Sequence, residues 1–394
     1  MKYISLIALF TLVFISACQE DPTSVGKNLI PDEDKIQVTE INSLDDSLAQ
    51  SSFYYYDRSV SYGASIRTLL GRYENMEASV LMSFLVNLPD SVISAFQNDS
   101  LIIKESTVLL TPTYYLGDKN LPLDFTVHKI NSTWGPTGFN KDSLSFLDYS
   151  NQNLGSNIQI DDSTLSFNLD QSIVLEWIAK RANDNEPTNN GIYLKPTLAS
   201  QRVVGLLAFT NFVNEDELPK IRVVVEKPNE FVDTLFFSDF TDVHVVDGQL
   251  PNLFGNDDLV LQAGIATRAI TWFDFSKIPV NSIINSVELE LTVDSTNSLF
   301  GNLVSDSLLV RLVADSTAKT LSDSTLQTIL GREGNKFKGE IRQLAQRIND
   351  GYAYQGFRLN LFDEDRTLTR FVIKGSNTPI EANRPKITIY YSNR

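Results

Sequence analysis

The hydrophobic positions of this chain recur every second residue over short runs. In VELELTVD, Val287, Leu289, Leu291 and Val293 alternate with Glu288, Glu290, Thr292 and Asp294. Successive side chains of a strand point to opposite faces, so the pattern predicts a strand with one apolar and one wet face. LDFTVHK does the same with Leu123, Phe125 and Val127, and KIRVVVE with Ile221, Val223 and Val225. Clusters of Asn, Asp, Ser and Gly separate such runs, which predicts an all-β fold of antiparallel sandwich or jelly-roll type. Two segments follow a helical period instead. SIVLEWIAKR places Val174, Trp177 and Ile178 on one face, and EIRQLAQRIND does so with Ile341, Leu344, Ala345 and Ile348. Each predicts a short helix over a sandwich edge, with Trp177 in the core.

The pattern occurs twice. ELPKIRVVVE aligns with NRPKITIYYS, matching Pro219 with Pro385, Lys220 with Lys386, and Ile221, Val223 and Val225 with Ile387, Ile389 and Tyr391. Asn211 and Asn377 stand equally far upstream, and further back Gly191 matches Gly356. At the front Gly63 matches Gly255, SFLVNLP matches WFDFSKIP, and IIKESTVLL matches IINSVELEL. Matches in one order at similar spacing indicate a duplicated domain. The break EKPNEFVD at 226–233 separates a first domain, 49–227, from a second, 233–394. Each is expected to carry one short helix.

The amino terminus departs from this pattern. Lys2 precedes an apolar run from Ile4 to Ile15, and small residues Ser16 and Ala17 lead to Cys18, the sole cysteine. That is the layout of a secretory signal, too short for a permanent transmembrane helix. Ile15-Ser16-Ala17-Cys18 resembles a bacterial lipobox, which implies a signal peptide at 1–17 and lipidation of the Cys18 sulfur. Several acyl chains make a stable anchor, at about 0.8 kcal/mol per buried methylene. Residues 18–48, rich in Pro, Gly and charge, read as a lipidated tether. Glu20-Asp21 directly after the anchor is similar to the surface-export signal of Bacteroidota lipoproteins, which implies the outer face of the outer membrane; a periplasm-facing anchor is the alternative.

The order of landmarks resembles the DNRLRE-type domains, jelly-roll modules related to carbohydrate-binding modules. Phe84, Pro89, Val127-His128-Lys129-Ile130, Trp134, Glu176-Trp177, Asn190-Gly191 and Pro219 carry it in the first copy. Phe273, Phe275, Pro279, Ser286 and Pro385 carry it in the second, which has Leu344 where Trp177 stands. With Cys18 and DPTSVGKNLIPDED at 21–34, the whole chain is similar to a Bacteroidota lipoprotein family known as domain of unknown function 4270. That resemblance implies a surface lipoprotein of β architecture and supplies no activity.

Composition narrows the chemistry. Hydrophobic residues at 42% and aromatics at 10% suffice for a core in each of two domains. A net charge of −16 argues against a nucleic-acid partner. The two histidines, His128 and His244, fall on outward faces by alternation and at unrelated repeat positions, which is no triad. Catalytic and metal residues are therefore assigned to none, and the chain is read as no enzyme. Acidic pairs at Asp161-Asp162, Asp257-Asp258 and in DEDR at 363–366 read as solvated loops. A structural calcium ion, with FGNDDLVL as its best loop, is the only cofactor considered.

Sugar rings stack on aromatic faces, and FYYYDR and TYYLG offer them. Tyr54 and Tyr56 share one strand face, Tyr55 takes the other, and Tyr115 and Trp134 complete the candidate ligand-binding set. Trp134 reads equally as a platform or as a lid over the core. The expected function is a lipid-anchored presenter of tandem sandwiches that binds a polysaccharide or a protein. The alternative is an accessory subunit docked on an outer-membrane β-barrel complex for export or uptake.

Overall fold

The computed structural model describes residues 37–209 and 215–393, apart from 253 and 256. The signal at 1–17, Cys18, the tether up to residue 36, and Asn211 lie outside the described residues. The chain lays down β1 (Val38–Asn42), β2 (Gln50–Tyr56), β3 (Arg67–Tyr73), β4 (Met76–Leu85), α1 (Asp90–Gln97), β5 (Ile102–Leu110), β6 (Pro112–Leu116), β7 (Phe125–Lys129), α2 (Lys141–Leu144), β8 (Gly155–Ile160), β9 (Leu165–Leu169), α3 (Gln171–Asp184), β10 (Ile192–Pro196), β11 (Val203–Leu207), β12 (Lys220–Lys227) and β13 (Phe231–Gly248). It continues with β14 (Asp258–Gln262), β15 (Thr267–Phe273), β16 (Ile283–Leu299), β17 (Ser307–Asp315), β18 (Thr320–Leu321), β19 (Thr328–Glu333), β20 (Lys336–Glu340), α4 (Arg342–Asn349), β21 (Phe357–Leu361), β22 (Arg370–Lys374) and β23 (Lys386–Ser392).

The fold is all-β. Two antiparallel sheets, each folded over its own core, make two sandwich-like lobes. The first core holds Ile221, Val223 and Val225 of β12 beside Phe125 and Val127 of β7. The second holds Val287, Leu289, Leu291 and Val293 of β16. Each such side chain contributes about 1.5–3 kcal/mol by leaving water. The helical faces behave as their spacing predicts: Val174, Trp177 and Ile178 enter the first core, Leu344 and Ala345 the second.

The lobes share one pairing scheme. β3 pairs with β4 and β11 as β14 does with β15 and β22. β10 joins β4 to β7 as β21 joins β15 to β17. β5 pairs with β9 and β12 as β16 does with β20 and β23. The matched glycines agree. Gly191 and Gly356 have φ of +77° and +132°, and a Cβ would lie 1.9 Å from the Met82 carbonyl and 3.0 Å from that of Thr271, on β4 and β15.

The linear domain boundaries do not hold at strand level. β1 pairs with β23 and β2 with β15, so residues 38–56 are strands of the second lobe. They are neither tether nor the front of the first domain. β13 pairs with β12 and β4 and belongs to the first sheet, although most of it follows the 226–233 break. The two segments are counterparts. β1 and β2 pair with the last strand and second strand of repeat two; β13 pairs with the last and second strands of repeat one. Each repeat thus completes the other's sheet. The expectation of one helix per domain holds for the second lobe only. The first also carries α1, which buries Val92 and Ala95, and the short α2.

A further apolar cluster cements the lobes. Leu69, Met76, Tyr114 and Val203 of the first pack against Leu368 of the second. The Leu368 N–H donates to the Tyr114 hydroxyl at 3.1 Å, and Arg67 Nη1 donates to the Arg366 carbonyl at 2.9 Å.

Candidate ligand-binding cleft

β2 and β13 end beside each other where the lobes meet, and their ends border a cavity of about 280 Å³. Tyr56 and Arg58 line it from the β2 side, and His244 from β13. Tyr62 and Phe139 come from loops between them, and Lys141 from the start of α2. Backbone contacts hold the walls: Asp57 N–H donates to the Ala266 carbonyl at 2.9 Å, and Leu250 N–H to the Tyr56 hydroxyl at 3.1 Å. The loop carrying Tyr62 lies close against the loop before Phe139. Ser61 Oγ donates to the Pro136 carbonyl at 3.0 Å, and a Cβ at Gly63 would come within 2.3 Å of that oxygen.

His244 and Tyr62 stack at 5.0 Å with 10° between their planes. Both ring nitrogens and the Tyr62 hydroxyl are buried without a hydrogen-bond partner. Burial pushes the His244 imidazole down to about 3, so it is neutral at ordinary pH. Lys141 is paired with Asp247, whereas Arg58 is exposed without an ion-pair partner among the described residues. The cleft therefore offers aromatic surface, a free guanidinium and amide-type polar groups, the mix expected of a small-ligand pocket.

Neither histidine faces solvent, contrary to the alternation reading. A bulge between Asp239 and Thr241 shifts the β13 register by one, and a one-residue shift exchanges the faces. His244 then lies opposite Val80, a core residue, while Val243 and Val245 join the opposite face. His128 does lie away from the core, but Tyr149 and Tyr193 cover it. Its ring is 7% exposed, bonded through Nδ1 to the Ser150 carbonyl at 2.9 Å and through Nε2 to Thr126 Oγ1 at 2.7 Å.

The predicted aromatics are not brought together. Tyr56 is 42% exposed and lines the cleft. Tyr54 packs against the second core and borders a separate hollow of about 140 Å³. Tyr115 lines a third hollow, of about 290 Å³, with Lys119, Asp162 and Arg202. Trp134 is a lid: its Nε1 donates to the Asn190 carbonyl at 2.8 Å and its ring meets Phe139 at 6.0 Å.

The acidic pairs diverge too. Asp161 caps an exposed turn, accepting from Ser163 and Thr164 N–H at 2.8 Å. Asp258 accepts from Lys374 Nζ at 2.9 Å, and Lys374 also reaches Asp294 at 2.8 Å. The DEDR segment is no solvated loop. Glu364 is buried and grips Arg268 at 2.7 Å, while Arg268 also holds Asp57 at 2.5 Å. The supposed wet face of β16 is covered as well, with Glu290 buried among Lys336, Lys338 and Lys386. Among the described residues no group of three or more His, Cys, Asp or Glu side chains is placed to hold a metal ion. No described helix is long and apolar enough to cross a membrane.

Sequence reasoning missed one buried pair altogether. Asp239 and Asp242 lie opposite Phe84 and Met82, on the core side of β13. Burial first, and then the Asp242 charge, push the Asp239 carboxyl well above its ordinary value. Only the bulge puts both on one face, and no local pattern announces it.

No family model and no curated protein matches the chain.

Proposed function

We propose that this protein is a non-catalytic, lipid-anchored envelope protein whose two-lobed β body binds a glycan in the cleft between the lobes. The observation that carries the reading is the cleft itself: Tyr56, Tyr62 and Phe139 rings beside Arg58, which has no ion-pair partner among the described residues, in a hollow of about 280 Å³. An aromatic face and a few directed hydrogen-bonding groups suit a sugar ring, which is apolar on its C–H face and polar at its rim. The anchor would be Cys18, with membership in the Bacteroidota lipoprotein family and display on the outer membrane surface following from the same reading. Because β1 belongs to the second lobe, the chain enters the body there. Val38 lies twenty residues after Cys18, so the anchor would hold the start of the second lobe within roughly 70 Å of the membrane.

The test uses the chain from residue 19, which keeps every described residue, on an array of neutral and acidic glycans. The expected result is binding that Tyr56→Ala or Arg58→Ala weakens at least tenfold. Binding indifferent to both substitutions, or no binding, defeats the cleft reading. Release of the native protein from membranes without lipase treatment defeats the anchor.

The second reading, an accessory subunit docked on an outer-membrane barrel, is favoured by a separate feature. Val232, Phe236 and Phe240 of β13 are 67%, 50% and 47% exposed. Apolar residues left in water along one strand suit a protein partner. Co-purification of a barrel protein, abolished by Phe236→Ser, would support it.

A further inference from the structure

The outer face of the second lobe gathers cations that the chain does not neutralise. Arg268 of β15 lies opposite Tyr55 of β2; Arg358 of β21 lies opposite Ile270 of β15 and opposite Arg311 of β17. Arg268 is satisfied by Asp57 and Glu364. Arg311 and Arg358 have no carboxylate within ion-pair distance among the described residues. Arg311 donates from Nε, at 3.0 Å, and from Nη2 to Gln327 Oε1, which leaves Nη1 free of any side-chain partner among the described residues. Arg358 is 8% exposed, and its Nε is buried without a partner. The neighbouring Tyr55 hydroxyl is buried beside the Arg358 side chain. A further cation comes from the turn after β17: the Lys319 ammonium stands 4.5 Å from the Phe53 ring centroid and 4.7 Å from that of Tyr55.

Such a group is costly to assemble. Burial and then neighbouring guanidinium charges lower the proton affinity of both Arg311 and Arg358. Like charges drawn together out of water repel, and the chain has acidic residues in excess to relieve them, at a net charge of −16. Glu364 acts on both from a distance, but among the described residues no carboxylate is in direct contact with either. An external anion would supply the missing charge, and paired guanidinium forks suit the planar or tetrahedral oxygens of carboxylate and sulfate. Phe53, 40% exposed, adds an apolar wall at the same place.

We propose that Arg311, Arg358 and Lys319, walled by Phe53 and Tyr55, form an anion subsite for a carboxylate- or sulfate-bearing saccharide. The saccharide part rests on the glycan reading above; the anion part does not. Tyr55 and Tyr56 lie on opposite faces of β2, so the two sites can be tested apart.

The test titrates the chain from residue 19 with three probes by calorimetry: a uronic-acid oligosaccharide, its carboxyl-reduced neutral counterpart, and inorganic sulfate. The subsite predicts at least tenfold tighter binding of the acid than of the neutral form. It also predicts at least tenfold loss of that binding in Arg358→Met and in Arg311→Gln, and weakening as salt is raised. Arg311 is partly exposed, so Arg311→Gln keeps the test decisive should the Arg358 variant misfold. Equal binding of acid and neutral probes, or an acid affinity unmoved by Arg311→Gln, overturns the subsite. Inorganic sulfate binding as tightly as the oligosaccharide, with loss in Arg311→Gln, overturns the saccharide part and keeps the anion part. Failure of the cleft reading shows elsewhere, as neutral-glycan binding that Tyr56→Ala leaves intact.

Discussion

Ile41, near the start of the described chain, is the register partner of Ile389, near its end. Both are buried in the second core. The first described strand therefore closes the lobe made by the last, and the first lobe stands between them in sequence.

The closure makes the second lobe dependent on its leading strands. Residues 233–394 alone should not fold, because they lack β1 and β2. Residues 249–393 followed by a short linker and residues 37–56 should fold, with cooperative thermal unfolding by circular dichroism. In the full chain, Ile41→Ala should cost about 2–4 kcal/mol in denaturant unfolding, as a large-to-small change in a packed core does.

Arg268 should prove the most sensitive ion-pairing residue. It is surrounded by Asp57 and Glu364, and its side chain is only 12% exposed. Arg268→Ala leaves Glu364 buried without its cation and removes the guanidinium from Asp57, which should cost about 3–5 kcal/mol. Chemical denaturation checks this, and the double change Arg268→Met with Glu364→Leu should recover part of the loss.

His244 should set part of the acid sensitivity. Its folded-state value, about 3, lies below the ordinary 6.5. Below pH 6.5 the unfolded chain takes up a proton that the folded chain refuses. Stability from this group is complete above 6.5 and falls as the pH drops towards 3, by about 3 kcal/mol at pH 4. His244→Phe, which keeps the stack on Tyr62, should flatten the stability profile across that window by up to one proton.

Asp239 works in the opposite direction. Its folded-state value is raised, so the folded chain keeps a proton that the unfolded chain sheds above its ordinary 3.8. Stability from this group is complete below that value and is lost as the pH rises towards the folded value. Asp239→Asn mimics the protonated form and should lose less stability than the native chain as the pH is raised above 3.8. An unchanged slope would show that the carboxyl is not the group that titrates.

The alternation along β7, β12 and β16, the two helical faces and the duplication were all legible without coordinates. Each is a local or repetitive property: a strand alternates with period two whatever it pairs with, and two copies of one pattern pair alike. The placement of Tyr54 and Tyr56 on one strand face was legible for the same reason, although only Tyr56 is exposed. The company it keeps was not.

What the sequence by itself determined is the kind of element along β7, β12, β16, α3 and α4, and that one pattern occurs twice. Only the tertiary structure decided which sheet β1, β2 and β13 complete, because backbone hydrogen bonds are chemically the same in either lobe and side-chain fit at the far end of the chain selects between them. It also decided which faces are dry. One extra residue at the β13 bulge turns Asp242 and His244 inward, and side chains distant in sequence, most of them on other strands, cover His128, Glu290 and Glu364. The cleft and the arginine cluster arise from those long-range placements, and no short stretch of residues encodes them.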